Sequence, residues 1–166
     1  RCVEETVTGS YAEIVSAYAG QGQANRIVGL ANEAITVTGS VTVTQANTVA
    51  ALTTGAVTAT ISTGSFAGAG NLAELIETGN AYTVTVTDTT ATAVNLTNLD
   101  AKTTVALDSS AVTTITGTAA EINTVYAAGA NGTITGLGNE AVTLSDTSID
   151  ASVLITLDAF TTGRIN

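Results

Sequence analysis

The 166-residue sequence contains no histidine, and proline, methionine and tryptophan are absent as well. Without histidine the chain has no ordinary general base to activate a hydroxyl or thiol nucleophile, so we expect no enzyme of the triad type. Basic residues are scarce too: the chain has four lysines and arginines in total against fourteen aspartates and glutamates, which gives a net charge of −10. A chain this acidic repels phosphate groups, so we expect no nucleic-acid partner.

Cysteine, aromatic residues and long apolar runs are equally rare. Cys2 is the single cysteine, so we expect it to be a small apolar residue or to pair with a neighbouring chain. No run of 18 apolar residues is present, which predicts no membrane insertion. Aromatic residues make up 4% of the chain, so we expect a core of small side chains in thin layers, as in stacked repeats.

Threonine, alanine and glycine dominate instead, with 34, 28 and 16 residues, and the sequence repeats itself. TVTGSYAEIVSAYAG, which begins at Thr6, matches TITGTAAEINTVYAA, which begins at Thr114, at eight of fifteen positions. GLANEAITV from Gly29 matches GLGNEAVTL from Gly136 at six of nine positions. With a diverged copy from Thr60, halfway between, these matches predict a single repeat domain over 1–166 with units of approximately 6–59, 60–113 and 114–166.

Each unit alternates two kinds of phrase. Alternation of Val or Ile with Thr places the apolar side chains on one face of a half-buried strand. Strands are predicted at 3–8, 34–38, 57–62, 82–87, 111–116 and 141–145, with short additional strands at 25–28 and 133–136. Apolar residues three or four apart predict short amphipathic helices at 11–18, 45–52, 72–77, 93–99, 119–127 and 149–157.

A strand, a short helix and a return within about 27 residues is the length of one coil in a β/α solenoid. Parallel strands need a crossover, and such crossovers are right-handed in about 98% of cases. We therefore predict an α/β fold, a right-handed parallel β/α solenoid of about six coils. An all-β parallel β-helix, with loops in place of the helices, is the alternative.

Three phrases carry a resemblance: residues 98–121, 114–128 and 136–163, for example GLGNEAVTLSDTSIDASVLITLDAFTTG. They resemble tandem repeats of very large secreted or surface-attached bacterial proteins, particularly of marine cyanobacteria and of proteins that also carry calcium-binding nonapeptide arrays. The resemblance implies an extracellular or cell-surface segment that is structural or adhesive, with no catalytic residues. The Gly-Gly-x-Gly-x-Asp signature of the nonapeptide arrays is absent from this chain.

The expected function is accordingly that of a non-catalytic stalk, spacer or fibre subunit. The expected partners are neighbouring repeats or identical subunits stacked head to tail, because the chain starts and stops in strand-like phrases and reads as a fragment of, or a stacking subunit in, a longer array. Two alternatives remain open. One is an adhesion module that binds a glycan, a cell surface or ice, and the other is the trimeric fibre shaft of a phage or contractile system.

The adhesion alternative depends on a face of exposed threonines. Period-2 alternation places Val7, Ile35, Val37, Ile61, Val84, Val86, Ile115, Val142 and Leu144 inside and the neighbouring threonines outside. Stacked strands would align these threonines into a ladder, which resembles the flat face of solenoid ice-binding proteins. The candidate face consists of Thr36, Thr38, Thr58, Thr60, Thr83, Thr85, Thr87, Thr114 and Thr116.

Acidic residues offer little catalytic or metal-binding chemistry. The nearest carboxylate pairs are Glu4-Glu5, Glu74/Glu77 and Asp146/Asp150, which we expect to be solvated or to cap helices. Asp88, Asp146 and Asp150 lie near predicted strand ends, where oxygen ligands can hold calcium, but no DxDxDG-like run accompanies them. We therefore expect no cofactor, with calcium as the alternative.

Overall fold

The computed structural model describes residues 5–20 and 29–166. Cys2, Glu4, the start of the strand predicted at 3–8 and the strand predicted at 25–28 therefore lie outside the described residues. Within these ranges the chain forms nine β-strands, five α-helices and one short 3₁₀ helix. The strands are β1 Thr6–Gly9, β2 Ala34–Val41, β3 Val57–Ile61, β4 Ala81–Thr83, β5 Thr90–Thr92, β6 Leu107–Asp108, β7 Thr114–Gly117, β8 Ile134–Thr135 and β9 Ala141–Leu144. The helices are α1 Tyr11–Ala19, α2 Val43–Ala50, α3 Ala93–Asp100, α4 Ala119–Asn131 and α5 Ala151–Asp158, and the 3₁₀ helix is Leu72–Glu74.

Several helices begin at a hydroxyl residue that directly follows a strand. In α1, Ser10 Oγ accepts a hydrogen bond from the Glu13 N–H, while Glu13 Oε2 accepts one from the Ser10 N–H at 2.8 Å. This reciprocal capping box satisfies N–H groups that the first turn of a helix leaves unpaired. The same box opens α2 and α4, at Thr42/Gln45 and Thr118/Glu121. The local sequence therefore sets where each of these strands gives way to a helix.

All strand pairs in the described residues are parallel, and they form three sheets. Their orders are β1-β2-β3-β4, β5-β7-β9 and β6-β8. Paired residues lie between 20 and 28 positions apart along the chain, a separation that we call one step. Isolated parallel bridges continue the pattern at Asn80–Thr103, Thr85–Asp108 and Val142–Ile165. The fold is therefore mixed α/β with parallel sheets, as the sequence predicts at that level.

The helices follow the same order as the strands. Along the chain, α1 packs on α2, α2 on the 3₁₀ helix, the 3₁₀ helix on α3, α3 on α4, and α4 on α5. A single cluster of buried apolar residues joins the helices to the strands and includes Ile35, Val49, Leu96, Ile115 and Ile122, each fully buried. The buried apolar residues of the helices and the strands therefore form one continuous core.

The internal sequence repeat is reproduced in three dimensions. Strands β1 and β7, helices α1 and α4, and helices α2 and α5 each begin at the offset that separates Thr6 from Thr114, and β2 and β9 begin one position closer. Ile165 stands at that same offset from Val57 and repeats its role as well: Val57 pairs with Ile35, and Ile165 pairs with Val142. Equivalent sequences therefore adopt equivalent structures.

The predicted elements differ most from the structure between residues 72 and 108. The helix predicted at 72–77 is only the 3₁₀ turn Leu72–Glu74, because the chain becomes extended at Leu75, where ψ is 123°. The strand predicted at 82–87 is β4 plus the bridge at Thr85, and β5 and β6 were not predicted. The short strand predicted at 133–136 is present as β8.

Candidate functional site

The predicted division between inward Val or Ile and outward Thr is found in the strands. Strand β3 shows it most clearly, because Val57, Ala59 and Ile61 are buried whereas Thr58 and Thr60 are exposed. Of the side chains predicted to point inward, all are buried except Val7 and Leu144, which are partly buried against the core. Among the candidate threonines, six are exposed and three, Thr36, Thr114 and Thr116, are half-buried.

Strand register aligns these threonines into short columns. In the first sheet, Thr8, Thr36 and Thr58 are successive partners, and Thr60 pairs with Thr83. In the second sheet the columns are Thr90–Thr114 and Thr92–Thr116–Thr143. Neighbouring strands lie about 4.8 Å apart and alternate residues of one strand about 6.8 Å apart, so each column presents a regular row of hydroxyl and methyl groups.

The columns are interrupted, however. A register shift between Thr36 and Ser40, with Gly39 at φ 79°, leaves Thr38 without a strand partner. Ala81 ends the column that starts at Thr8, and Thr85 faces Asp108, whose carboxylate lies 3.4 Å from Thr85 Oγ1. No column among the described residues therefore exceeds three threonines.

A second role for threonine emerges from three sites that we call the threonine clasps, centred on Thr53, Thr103 and Thr161. At each clasp the hydroxyl donates a hydrogen bond to the backbone carbonyl of a residue one step earlier, at 2.6–2.7 Å. The same oxygen accepts a hydrogen bond from the N–H two residues later, at 2.9–3.1 Å. The N–H of the following threonine donates to the earlier step too, at 2.8–2.9 Å. Each Thr-Thr pair therefore ties one step to its predecessor.

The sequence contains a visible signal for the clasps. LTTG at 52–55 and FTTG at 160–163 match each other at the offset of the sequence repeat, and KTTV at 102–105 is a third example. The sequence alone assigns these phrases no role, because the accepting carbonyls belong to Glu33, Tyr82 and Glu140, each one step away.

A clasp threonine is expected to contribute much more stability than the threonine beside it. Thr103→Val removes the bond to the Tyr82 carbonyl and leaves the Tyr82 and Val105 N–H groups without their acceptor. Because partly buried polar groups lose their partners, we expect unfolding free energy to fall by about 2 kcal/mol. Urea denaturation followed by circular dichroism measures the loss.

The neighbouring substitution Thr104→Val is the control. Thr104 is exposed, and its hydroxyl makes only a 3.3 Å contact to the Asn80 carbonyl. We therefore expect Thr104→Val to lower the unfolding free energy by no more than about 0.5 kcal/mol. Equal losses for the two variants would show that the clasp contributes nothing particular to stability.

The repeated NEA phrases at 32–34 and 139–141 form a second recurrent structure, in which the glutamate carboxylate accepts hydrogen bonds from N–H groups of its own loop. Glu140 is fully buried, and its side chain accepts hydrogen bonds from the Gly138 N–H at 2.9 Å and the Tyr126 hydroxyl at 3.2 Å. Burial raises the pKa of Tyr126 to about 12, and the Glu140 carboxylate adds to the shift. The counterpart Glu33 accepts from the Ala31 and Asn32 N–H groups. These acids hold loops in shape, a role that sequence reasoning missed.

Beside Glu140 the surface forms a cleft of about 370 Å³. Its lining includes the glycine-rich loop at 136–138 and the stacked rings of Tyr126 and Phe160, whose centroids lie 5.5 Å apart at an angle of 12°. Phe160 is 40% exposed. The cleft offers an apolar ring face and backbone groups, but no nucleophile and base together.

Of the other acidic residues singled out from the sequence, Glu74, Asp88 and Asp146 accept hydrogen bonds from backbone N–H groups, whereas Glu5 and Glu77 are exposed. Glu74 Oε1 accepts from the Gly70 N–H at 3.0 Å, and Asp146 caps α4 by accepting from the Ala119 N–H at 2.7 Å. Asp88 accepts from Ser65 Oγ and the Phe66 N–H. Asp150 is the N-cap residue of α5 but makes no capping bond with its side chain. In residues 5–20 and 29–166, no three acidic, histidine or cysteine side chains converge into a metal-binding group.

None of the helices in the described ranges is both long enough and apolar enough to cross a lipid bilayer. Comparison with protein-family models, curated protein sequences and solved structures yields no match.

Proposed function

We propose that this chain is a non-catalytic structural segment, a stalk, spacer or fibre subunit of an extracellular bacterial surface protein, built as a right-handed parallel β/α solenoid of six coils. The observation that carries the proposal is that the paired strands are always parallel and always one step apart along the chain. An enzyme usually gathers distant residues into one site, whereas here the long-range contacts mostly join neighbouring steps.

Six helical turns support the count of six coils. They are α1, α2, the 3₁₀ helix, α3, α4 and α5, each packed on the next. The threonine clasps add hydrogen bonds between consecutive coils outside the strands. In such an architecture stability is a sum of local and nearest-neighbour contributions, so coils can be added to make a longer spacer without a new core.

The extracellular location rests on the resemblance to bacterial surface repeats and on composition. With a single cysteine the chain has no internal disulfide, and its composition is dominated by threonine, alanine and glycine, as in the repeats that it resembles. Protease treatment of intact source cells tests the location, because a surface segment is cleaved while cytoplasmic proteins remain whole.

Adhesion through the threonine face is the less supported alternative. Glycan or ice binding by a flat face requires a continuous array of threonines. In this chain the array is interrupted by the register shift at Thr38, by Ala81 and by Asp108. The columns of two or three threonines also suit a solvated strand surface, because threonine combines high β propensity with a polar side chain. The structural role therefore accounts for more of the molecule.

Lengthening the chain in phase tests the proposal. Asn166 follows Ile165, the counterpart of Val57, so a second copy of residues 59–166 fused after Asn166 continues the register without a break. The added residues should form four further coils and lengthen the particle by about 19 Å, at about 4.8 Å per coil. Small-angle scattering should show this longer maximum dimension at an unchanged cross-sectional radius.

A second fusion of equal length distinguishes the effect of strand register from the effect of added mass. Residues 46–153 fused at the same point extend the chain by the same amount but start within α2, out of phase with Ile165. We expect this fusion to leave the added part unfolded or poorly packed. A cross-sectional radius that grows in the in-phase fusion, as for a sphere, would overturn the solenoid and the spacer role with it.

A further inference from the structure

A second cleft, of about 420 Å³, lies between the end of helix α2 and the loop that precedes β4, and we call it the α2 cleft. One side consists of the end of α2 with the clasp of Thr53, and the other side is formed by Glu77, Thr78 and Asn80. Both sides lie in the middle of the described chain. The volume is within the range of about 300–1,000 Å³ that is typical of small-molecule sites.

The end of helix α3 shows why this space stays open at α2. Both helices have eight residues and both are followed by a clasp, so Ala50 and Asp100 occupy equivalent last positions. The Asp100 carboxylate accepts a hydrogen bond at 2.9 Å from Thr133 Oγ1, just beyond the end of the next helix, α4. The Ala50 side chain is a methyl group and cannot form such a bridge. The α2 cleft therefore lies where the corresponding junction at α3 is closed by a side chain.

Hydrogen-bond acceptors predominate in the α2 cleft. Among the described residues, no backbone N–H donates to the Ala50 or Ala51 carbonyl, and these carbonyls lie at the negative end of the α2 dipole. Glu77 adds an exposed carboxylate, and the lining contains no basic side chain. The nearby Lys102 donates to the Ile76 carbonyl at 2.9 Å and does not line the cleft. The cleft therefore favours a ligand that is positively charged and rich in donors.

Asn80 adds a donor that has no partner. Its side chain is buried, with 4% exposure for the residue, and its Oδ1 accepts a hydrogen bond from the Val57 N–H at 2.8 Å. The Asn80 Nδ2 donates to no described residue and is not enclosed, so it is accessible from the cleft that Asn80 lines. An unpartnered amide donor is costly unless a ligand or water accepts from it. A ligand hydroxyl fits this place.

We propose that the α2 cleft binds an amino sugar, whose ammonium group donates to the Glu77 carboxylate and to the carbonyls at the end of α2 while a ring hydroxyl accepts from Asn80 Nδ2. A charge-assisted hydrogen bond of this kind is about twice as strong as a neutral one. A bare metal ion fits less well, because it leaves most of the cleft empty and gains nothing from the amide donor. The site lies within one molecule, so it is independent of the proposed spacer function.

Isothermal titration calorimetry with chitobiose, the disaccharide of glucosamine, tests the assignment. At about pH 6 its amines are protonated and exposed carboxylates are ionised, and about 0.15 M salt screens long-range attraction to the net charge of −10. Three comparison probes each lack one feature: diacetylchitobiose has no charge, cellobiose has hydroxyls in place of the amines, and butylamine has no hydroxyls. We expect each of them to bind at least about tenfold more weakly than chitobiose.

Two variants and their matched controls locate the site. Glu77→Gln should weaken chitobiose binding by about tenfold or more, whereas Asp158→Asn, which removes a charge at the exposed end of α5, should leave it unchanged. Ala51→Leu fills part of the cleft and should weaken binding similarly. Its control is Ala101→Leu, because Ala101 is also exposed and follows α3 as Ala51 follows α2. Circular dichroism establishes that each variant is folded.

Three results would contradict the assignment. Absence of chitobiose binding at millimolar concentration would show that the cleft is not an amino-sugar site. Equal binding of chitobiose and any comparison probe would show that the ammonium group or the hydroxyls are not recognised. Equal weakening by Glu77→Gln and Asp158→Asn would show attraction to the overall charge rather than binding in the cleft. None of these results bears on the in-phase fusion, so the spacer proposal is tested separately.

Discussion

Val84→Asp is expected to lower the unfolding free energy by about 4 kcal/mol, because it places an unpaired carboxylate in the core. Val84 is 1% exposed and belongs to the buried cluster, and its backbone carbonyl accepts a hydrogen bond from the Asp108 N–H one step later. Burial raises the pKa of the introduced acid in the folded protein, so the loss should be largest at neutral pH and decrease as the pH falls towards about 4, the ordinary pKa of aspartate. Urea titrations at neutral pH and at about pH 4 measure both effects.

Thr83→Asp is the control for Val84→Asp, since it makes the same charge change one residue earlier on the opposite face of the strand. Thr83 is exposed and pairs with Thr60, so we expect a loss of no more than about 1 kcal/mol, the range of strand propensity. Comparable losses at the two positions would mean that both strand faces are covered, which would make the threonine face an assembly interface. Thr85 is less suitable as a control because Asp108 lies beside it.

Gly55→Ala is expected to cost about 3 kcal/mol through steric overlap alone. A β-carbon on Gly55 would overlap the Glu33 carbonyl group and lie 2.7 Å from the Asn32 carbonyl oxygen, one step earlier. Those backbone atoms cannot withdraw without breaking the bonds of Thr53 to Glu33 and of Thr54 to Ala31. Thermal unfolding followed by circular dichroism should show a clearly lower midpoint.

The matched control is Gly79→Ala. Gly79 has φ 79°, and no atom lies within 4 Å of the place that a β-carbon would take, so alanine there meets only left-handed backbone strain of about 1 kcal/mol. If Gly55→Ala cost no more than Gly79→Ala, the close approach between steps at the clasp would not be a constraint. Gly163 repeats the arrangement against Glu140, so Gly163→Ala should behave like Gly55→Ala.

Local sequence patterns predicted most elements because each element depends on its own residues. The alternation at 57–62 matches β3, Val57–Ile61, and the spacing at 11–18 matches α1, Tyr11–Ala19. The helix expected at 72–77 failed for a reason that lies elsewhere in the chain. Leu72 and Leu75 are buried as the spacing indicates, but the side chain of Asn47, one step earlier, takes the Ile76 N–H that a helix would use.

The sequence predicts that the threonines of the candidate face point outward, but it does not predict how long their columns are. Outward-facing threonine follows from period 2, and the structure places Thr58 and Thr60 accordingly. The interruption at Gly39 had a local signal, since a glycine inside a strand pattern often marks a bulge. The clasps had a repeated sequence signal at Thr53 and Thr161, yet their role depends on which carbonyl lies opposite, and only the strand register supplies that information.

Pairing between strands one step apart also determines how the molecule responds to mechanical load. Each strand is held by partners one step away, so tension applied between the two ends acts on those junctions in series. The weakest junction opens first, and each stronger junction stays closed until the tension reaches the force that opens it. A freed step, such as the one between Asn80 and Thr103, lengthens the chain by roughly 80 Å at full extension. If the chain serves as the proposed stalk, it yields in increments and dissipates a sudden pull, whereas a single globular core would resist and then unfold at once.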